Sequence, residues 1–204
     1  LPSPLSGPLI PARMTMVTAW DVPNDPLADA SLDTSKLSNE VKRGYRIFMN
    51  TPEEAGAFVP GGMSCTNCHL NAGQRERAMP LVNVAGMFPE YNRRAGRLIT
   101  LNDRIVDCFL RSENATARLG TAGEEHPATG EGMLPTPTSK DVLAVSAFLT
   151  WLARGGEVGK NPAWRGQNTI AQSALLPIDA LDPDAGEAIY TERCSTCHGP
   201  DGQG

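Results

Sequence analysis

Two pentapeptides hold the residues best suited to chemistry: Cys65-Thr66-Asn67-Cys68-His69 and Cys194-Ser195-Thr196-Cys197-His198. Each sets two thiols three residues apart and follows them at once with an imidazole. A Cys-x-x-Cys pair alone fits a redox dithiol or half of a zinc site, and in an exported protein a disulfide comes first to mind. The adjacent histidine changes that reading. Two thiols at this spacing bond to the two vinyl groups along one porphyrin edge, and the histidine supplies the proximal nitrogen to iron. The two motifs use two of the three histidines and four of the five cysteines. The expected cofactors are two covalently bound haem c groups, attached at Cys65, Cys68, Cys194 and Cys197, with His69 and His198 as iron ligands. Covalent haem attachment in bacteria is completed outside the cytoplasm, so the expected location is the periplasm, reached by export.

Iron in an electron-transfer haem usually takes a second axial ligand, and three residues compete for that role at the first site. Met133 precedes Leu134 and Pro135, just before the last apolar helix of the first unit, where a simple cytochrome c presents its methionine. His126 lies in a polar Glu-Glu-His-Pro loop and reads as solvated. Cys108 lies on one face of a predicted helix with Ile105, Phe109 and Ser112. A lone cysteine there is ordinarily a small buried residue. Its neighbourhood is unusual: Arg93, Arg94, Arg97, Arg104 and Arg111 crowd a short stretch of a chain whose net charge is -5. Guanidinium forks suit doubly charged oxyanions and propionates. They are also expected to lower a nearby thiol pKa. A thiolate ligand would favour ferric iron and a low potential.

The elements that position these residues read as short helices in long loops. Aromatics make up 5% of the chain, while it has 20 Gly and 17 Pro, so a cofactor is expected to fill core space. A helix is predicted over Asn39–Met49, capped by Ser38, with Leu37, Val41, Tyr45 and Phe48 on its buried face. A second runs from Leu101 to about Ser112, opened by a Thr100/Asp103 capping box. A third spans Lys140–Arg154, with Val145, Phe148, Leu149 and Leu152 inward, and stops at Gly155-Gly156. Asp182-Pro183 opens a fourth. There Gly186, Ile189 and Tyr190 echo Gly44, Ile47 and Phe48 ahead of the second haem motif, as an internal repeat.

The fold class is therefore expected to be all-α, with two cytochrome c-like domains in tandem, the second truncated in this chain. The expected division is an extended arm at 1–37, a first cytochrome c domain at 38–156, a linker at 157–180 and the opening of a second domain at 181–204. The acidic balance speaks against nucleic acid as a partner. No run approaches the roughly 18 apolar residues of a membrane span.

The stretch Gly62-Met63-Ser64-Cys65-Thr66-Asn67-Cys68-His69-Leu70-Asn71-Ala72-Gly73 resembles the first haem site of tetrathionate-forming thiosulfate dehydrogenases. So does Leu101-Asn102-Asp103-Arg104-Ile105-Val106-Asp107-Cys108-Phe109-Leu110-Arg111-Ser112-Glu113-Asn114, whose Asn-Asp-Arg-x-x-x-Cys-x-x-Arg-Ser element is the more specific. Phe148–Gly155 and Ala185–Gly204 resemble the closing helix of the first domain and the start of the second. The resemblance implies two cytochrome c domains, the first of SoxA type, whose haem has His and Cys ligands and is the active site. By position, His69 and Cys108 would be those ligands. Arg94, Arg104 and Ser112 would hold the sulfur oxyanion, and the distal ligand of the second haem would lie beyond Gly204. Two departures stand out: residues 115–138 look like an insertion, and Ala115 replaces a Gly. They leave Met133 as the runner-up distal ligand.

The activity implied is the joining of two thiosulfates into tetrathionate, or its reverse, with electrons passing through the second haem to a small c-type cytochrome or similar acceptor. Two rival readings share the motifs. A non-catalytic dihaem carrier would use Met133 on iron and its arginines on propionates. A SoxA-like subunit of a sulfur-oxidising complex would carry sulfur on the cysteine between partners.

Overall fold

The computed structural model describes residues 26–202 apart from 57, 60–61, 76–77, 114, 116–133, 154–155 and 167–169. His126, Met133 and most of the expected insertion lie outside the described residues, as do residues 1–25 of the expected arm.

Helix α1 (Lys36–Met49) begins three residues earlier than its periodicity suggests. Ser35 is the cap, its Oγ accepting from the Ser38 amide. Ser38 is instead buried in the first turn and donates to Asp33. A single residue, Asn50, separates α1 from the one-turn helix α2 (Thr51–Glu54), which has Pro52 in its first turn. The first haem motif forms another single turn, α3 (Cys65–Cys68).

Strands β1 (Glu90–Asn92) and β2 (Arg97–Ile99) pair antiparallel, Tyr91 opposite Leu98. This small hairpin is an addition to the expected helical fold. Its strands are too short to show a two-residue period, and its turn rests on local chemistry. Asn92 Oδ1 accepts from the Arg94 and Ala95 amides, and Gly96 takes φ +65°. Helix α4 (Leu101–Arg111) follows with the expected capping box: the Asp103 amide donates to Thr100 Oγ1 and the Thr100 amide to Asp103 Oδ2. Arg97 of β2 pairs with Asp103 at 3.1 Å and so ties the hairpin to the start of α4.

Helix α5 (Lys140–Leu152) buries most of its residues and leaves Lys140, Leu143 and Thr150 exposed. Its expected stripe is inside, and Val142, Ala144 and Trp151 join it. Gly44 is the point of closest approach to α1, since a Cβ there would sit 1.9 Å from the Ala144 carbonyl oxygen. Around that crossing Phe48 and Phe148 tilt against each other, and Tyr45 meets Phe148 edge-on. Arg43, beside Gly44, bonds the Lys140 carbonyl and pairs with Asp141 at the first turn of α5. Leu37 lies nearly two turns earlier, where α5 has not begun. It is accordingly 70% exposed rather than buried as its periodicity suggests.

Helix α6 (Pro183–Arg193) is capped by Asp182 as expected, and the second haem motif forms the turn α7 (Ser195–His198). The repeat is visible locally. The His69 amide returns to the Cys65 carbonyl at 2.9 Å, and the His198 amide to the Cys194 carbonyl at 3.0 Å. Yet among the described residues nothing lies within 4 Å of a Cβ built on Gly186, and Ile189 is 60% exposed. Among the described residues, no helix crosses α6 as α5 crosses α1.

Candidate active site

The attachment motif is folded by its flanks. Ser64 precedes α3 with its amide bonded to Asn67 Oδ1 at 2.6 Å, and its Oγ accepts from the Thr51 amide. One helical turn then sets Cys65 and Cys68 on a common face. His69 is the C-cap, and its Nδ1 lies 2.6 Å from the Met79 carbonyl oxygen. A carbonyl only accepts, so Nδ1 carries the hydrogen and Nε2 keeps its lone pair, which is the tautomer an axial ligand needs. Burial, helped by the charge of Arg104, holds the His69 pKa below its ordinary value despite the Met79 hydrogen bond. The ring is thus neutral near pH 7. Met79 reaches this position with φ +50° immediately before Pro80. No periodic signal in the sequence marks that carbonyl.

Cys65, Cys68 and His69 line one cavity of about 270 Å³. Helix α4 and its C-cap supply another part of the wall, Arg104, Ile105, Cys108 and Phe109 from the helix and Ser112 from the cap. Leu81, Val84, Met87, Phe88, Val145 and Leu149 make most of the remainder apolar. The structure thus brings Cys108, Arg104 and Ser112 to the haem motif. Arg94 does not line the cavity; it lies exposed in the turn of the β hairpin.

The thiol of Cys108 departs from the sequence expectation. Its pKa is raised, because burial outweighs the opposing charge of Arg104. Without a bound metal it is a neutral thiol; a metal ion deprotonates a coordinating thiol outright. Burial pushes the Cys65 thiol well above its ordinary range too, and the Glu113 carboxylate adds to this. Glu113 is a wall residue that the sequence did not single out. It is 5% exposed, and its Oε1 lies 3.3 Å from both Cys65 Sγ and Thr51 Oγ1. Thr51 also has the Ile47 carbonyl as an acceptor at 2.9 Å, so its one hydrogen serves two oxygens. Burial is therefore poorly offset, and the Glu113 pKa rises to about 7.

This donor set fits haem c. It offers two thiols on one face, a histidine held in the ligating tautomer, and an apolar cleft with one further thiol, that of Cys108, in its wall. The described cysteines 65, 68, 108 and 194 are free thiols, so none is committed to a disulfide. At the second motif Cys194 is half-buried and His198 exposed. Tyr190 donates to the His198 and Gly199 carbonyls and braces α7 against α6.

The chain is similar to known proteins over most of its length. The family model described as SoxA/TsdA, cytochrome c domain matches residues 55–158. A protein named thiosulfate dehydrogenase from Allochromatium vinosum is 36% identical over 183 residues, which is 87% of this chain and 59% of the relative. One of the same name from Stutzerimonas stutzeri is 30% identical over 179 residues, 88% of this chain and 52% of the relative. The chain thus spans somewhat over half the length of these relatives. Among solved structures, thiosulfate dehydrogenase (TsdBA) from Marichromatium purpuratum in its as-isolated form superposes with a TM-score of 0.62 at 28% identity. That match covers 85% of this chain and 34% of the other.

Proposed function

The chain belongs to the SoxA/TsdA cytochrome c domain family, and from that premise we propose that it oxidises two thiosulfates to tetrathionate at its first haem site. One observation carries the proposal: Cys108, Arg104 and Ser112 line the same cavity as the Cys65-Cys68-His69 motif. The reaction forms one S–S bond between two sulfane sulfurs and releases two electrons. When bound, haem supplies the one-electron acceptor. Cys65 and Cys68 would hold it covalently, and His69 and Cys108 would ligate its iron.

The chain's own residues face an electrostatic problem. Two dianions 5 Å apart repel by roughly 13 kcal/mol at an effective dielectric constant near 20. A guanidinium 4 Å from a dianion returns roughly 8 kcal/mol on the same footing. Arg104 and Ser112, in the cavity wall, bind and orient the sulfonate oxygens. Arg94, from the neighbouring hairpin turn, attracts and clamps the outer anion. Apolar side chains exclude water, so these charges act at short range without competition. The sulfane sulfur is thereby presented to Cys108.

The second motif would hold a second haem through Cys194, Cys197 and His198, in a tandem cytochrome c domain that begins near residue 181. That group would supply an electron exit toward a small c-type cytochrome in the periplasm. The test is to add thiosulfate to the full-length holoprotein with no partner present. Reduction of its own haems, with tetrathionate as product, supports the proposal; unreduced haems would reject it in favour of an electron carrier or a subunit needing partners.

A further inference from the structure

Part of the stretch between the two haem motifs is built into the first site. Residues 156–166 lie along the segment 82–90, and the approach is too close for side chains at two points. A Cβ on Gly156 would sit 2.4 Å from Asn83 Oδ1, and one on Gly86 would sit 2.8 Å from the Glu157 carbonyl oxygen. The Gly159 amide donates to the Gly86 carbonyl at 2.8 Å. Further along, Trp164 Nε1 donates to the Val82 carbonyl at 2.8 Å, and Arg165 pairs with Glu90 at 2.5 Å. The indole lines the cavity beside Val84, Met87 and Phe88. A passive tether needs none of these anchors. Nor does it need a large aromatic placed with its N–H satisfied and its ring toward the cavity.

We propose that residues 156–166 form a clasp: Trp164 closes one wall of the first haem cavity against water and foreign ligands. The anchors at Val82 and Glu90 fix where the chain departs toward the second Cys-x-x-Cys-His motif. The clasp rests on reading Cys65–His69 as a haem site. It assigns Trp164 a positioning and shielding role and no contact with the reacting sulfur.

The test uses the full-length holoprotein and its Trp164→Ala, Trp164→Phe and Arg165→Gln variants. Haem mass on the Cys65–Cys68 peptide is measured first, then the rate of cyanide binding to the first haem. Trp164→Ala should bind cyanide about tenfold faster, because access around the iron governs foreign ligands. Trp164→Phe, which keeps a ring and loses the anchor, should fall between it and the parent. Arg165→Gln should bind cyanide about two- to fivefold faster, although Arg165 is outside the cavity wall. Parental rates in Trp164→Ala overturn the clasp. Should that variant fail to retain haem, Arg165→Gln decides, and an unchanged rate there overturns it equally. A parent protein with no haem on the peptide would instead overturn the haem reading itself.

Discussion

The carboxyl of Glu113 lies 3.3 Å from the thiol of Cys65, inside the wall of the cavity that the first haem motif lines. Glu113 follows α4, so this contact joins the helix carrying Cys108 to the turn carrying the attachment thiols. Glu113→Gln keeps the accepting oxygen and removes a buried ionisable group; its thermal midpoint should equal or exceed the parent's at neutral pH. Glu113→Ala leaves Thr51 without this acceptor and opens a void, and should lose about 1–3 kcal/mol. Thermal unfolding of the holoproteins distinguishes the two.

Asp103 gives a pH dependence of known sign. Its carboxyl accepts from the Thr100 amide and hydroxyl and pairs with Arg97, which together hold its pKa down at about 2. A carboxylate with a pKa lowered by folding stabilises the fold above its ordinary value of 3.8 and loses that contribution as pH falls toward 2. Acid titration followed by circular dichroism should therefore show loss of helix over this window. In Asp103→Ala the step should vanish, with about 1 kcal/mol of stability lost at neutral pH from the missing cap.

Gly44 and Gly186 occupy matching places ahead of the two haem motifs, yet they should answer differently to alanine. Gly44→Ala drives a methyl into the Ala144 carbonyl and should cost at least about 2 kcal/mol. Gly186→Ala meets no atom within 4 Å and should be neutral or gain up to about 1 kcal/mol in this 204-residue chain. Denaturant unfolding of the two variants checks this.

At the active site, Cys108→Ala should keep covalent haem and lose turnover. The parent should lack the weak far-red band of methionine ligation. Arg104→Gln should lower kcat/KM by ~10²-fold. Arg94→Gln acts from an exposed turn, so its smaller loss should shrink further with added salt. Steady-state rates at two ionic strengths separate the arginines.

What could be read from residues alone was what depends on near neighbours. The Thr100/Asp103 cap, the Asp182 cap and the Cys-x-x-Cys-His turns each close within a few positions. Features made by distant partners were hidden. Glu113 finds Cys65 and Thr51 at separations of 48 and 62 residues, and Trp164 finds Val82 at 82. Nothing local marks either residue. The β hairpin escaped because three-residue strands display no period. The raised pKa of the Cys108 thiol is not legible in the residues because burial, which a sequence does not report, outweighs the visible arginine.

The crossing of α1 on α5 at Gly44 and Ala144 closes a chain loop of 100 residues. Residues 115–138 lie within it. Loop-closure entropy grows only with the logarithm of length, so lengthening such a loop from about 76 to about 100 residues costs roughly 0.2 kcal/mol. The entropic penalty for varying the segment after α4 is therefore small beside the contacts that seal the crossing. Segments of very different length can be accommodated there while the helices that frame the cavity keep their places.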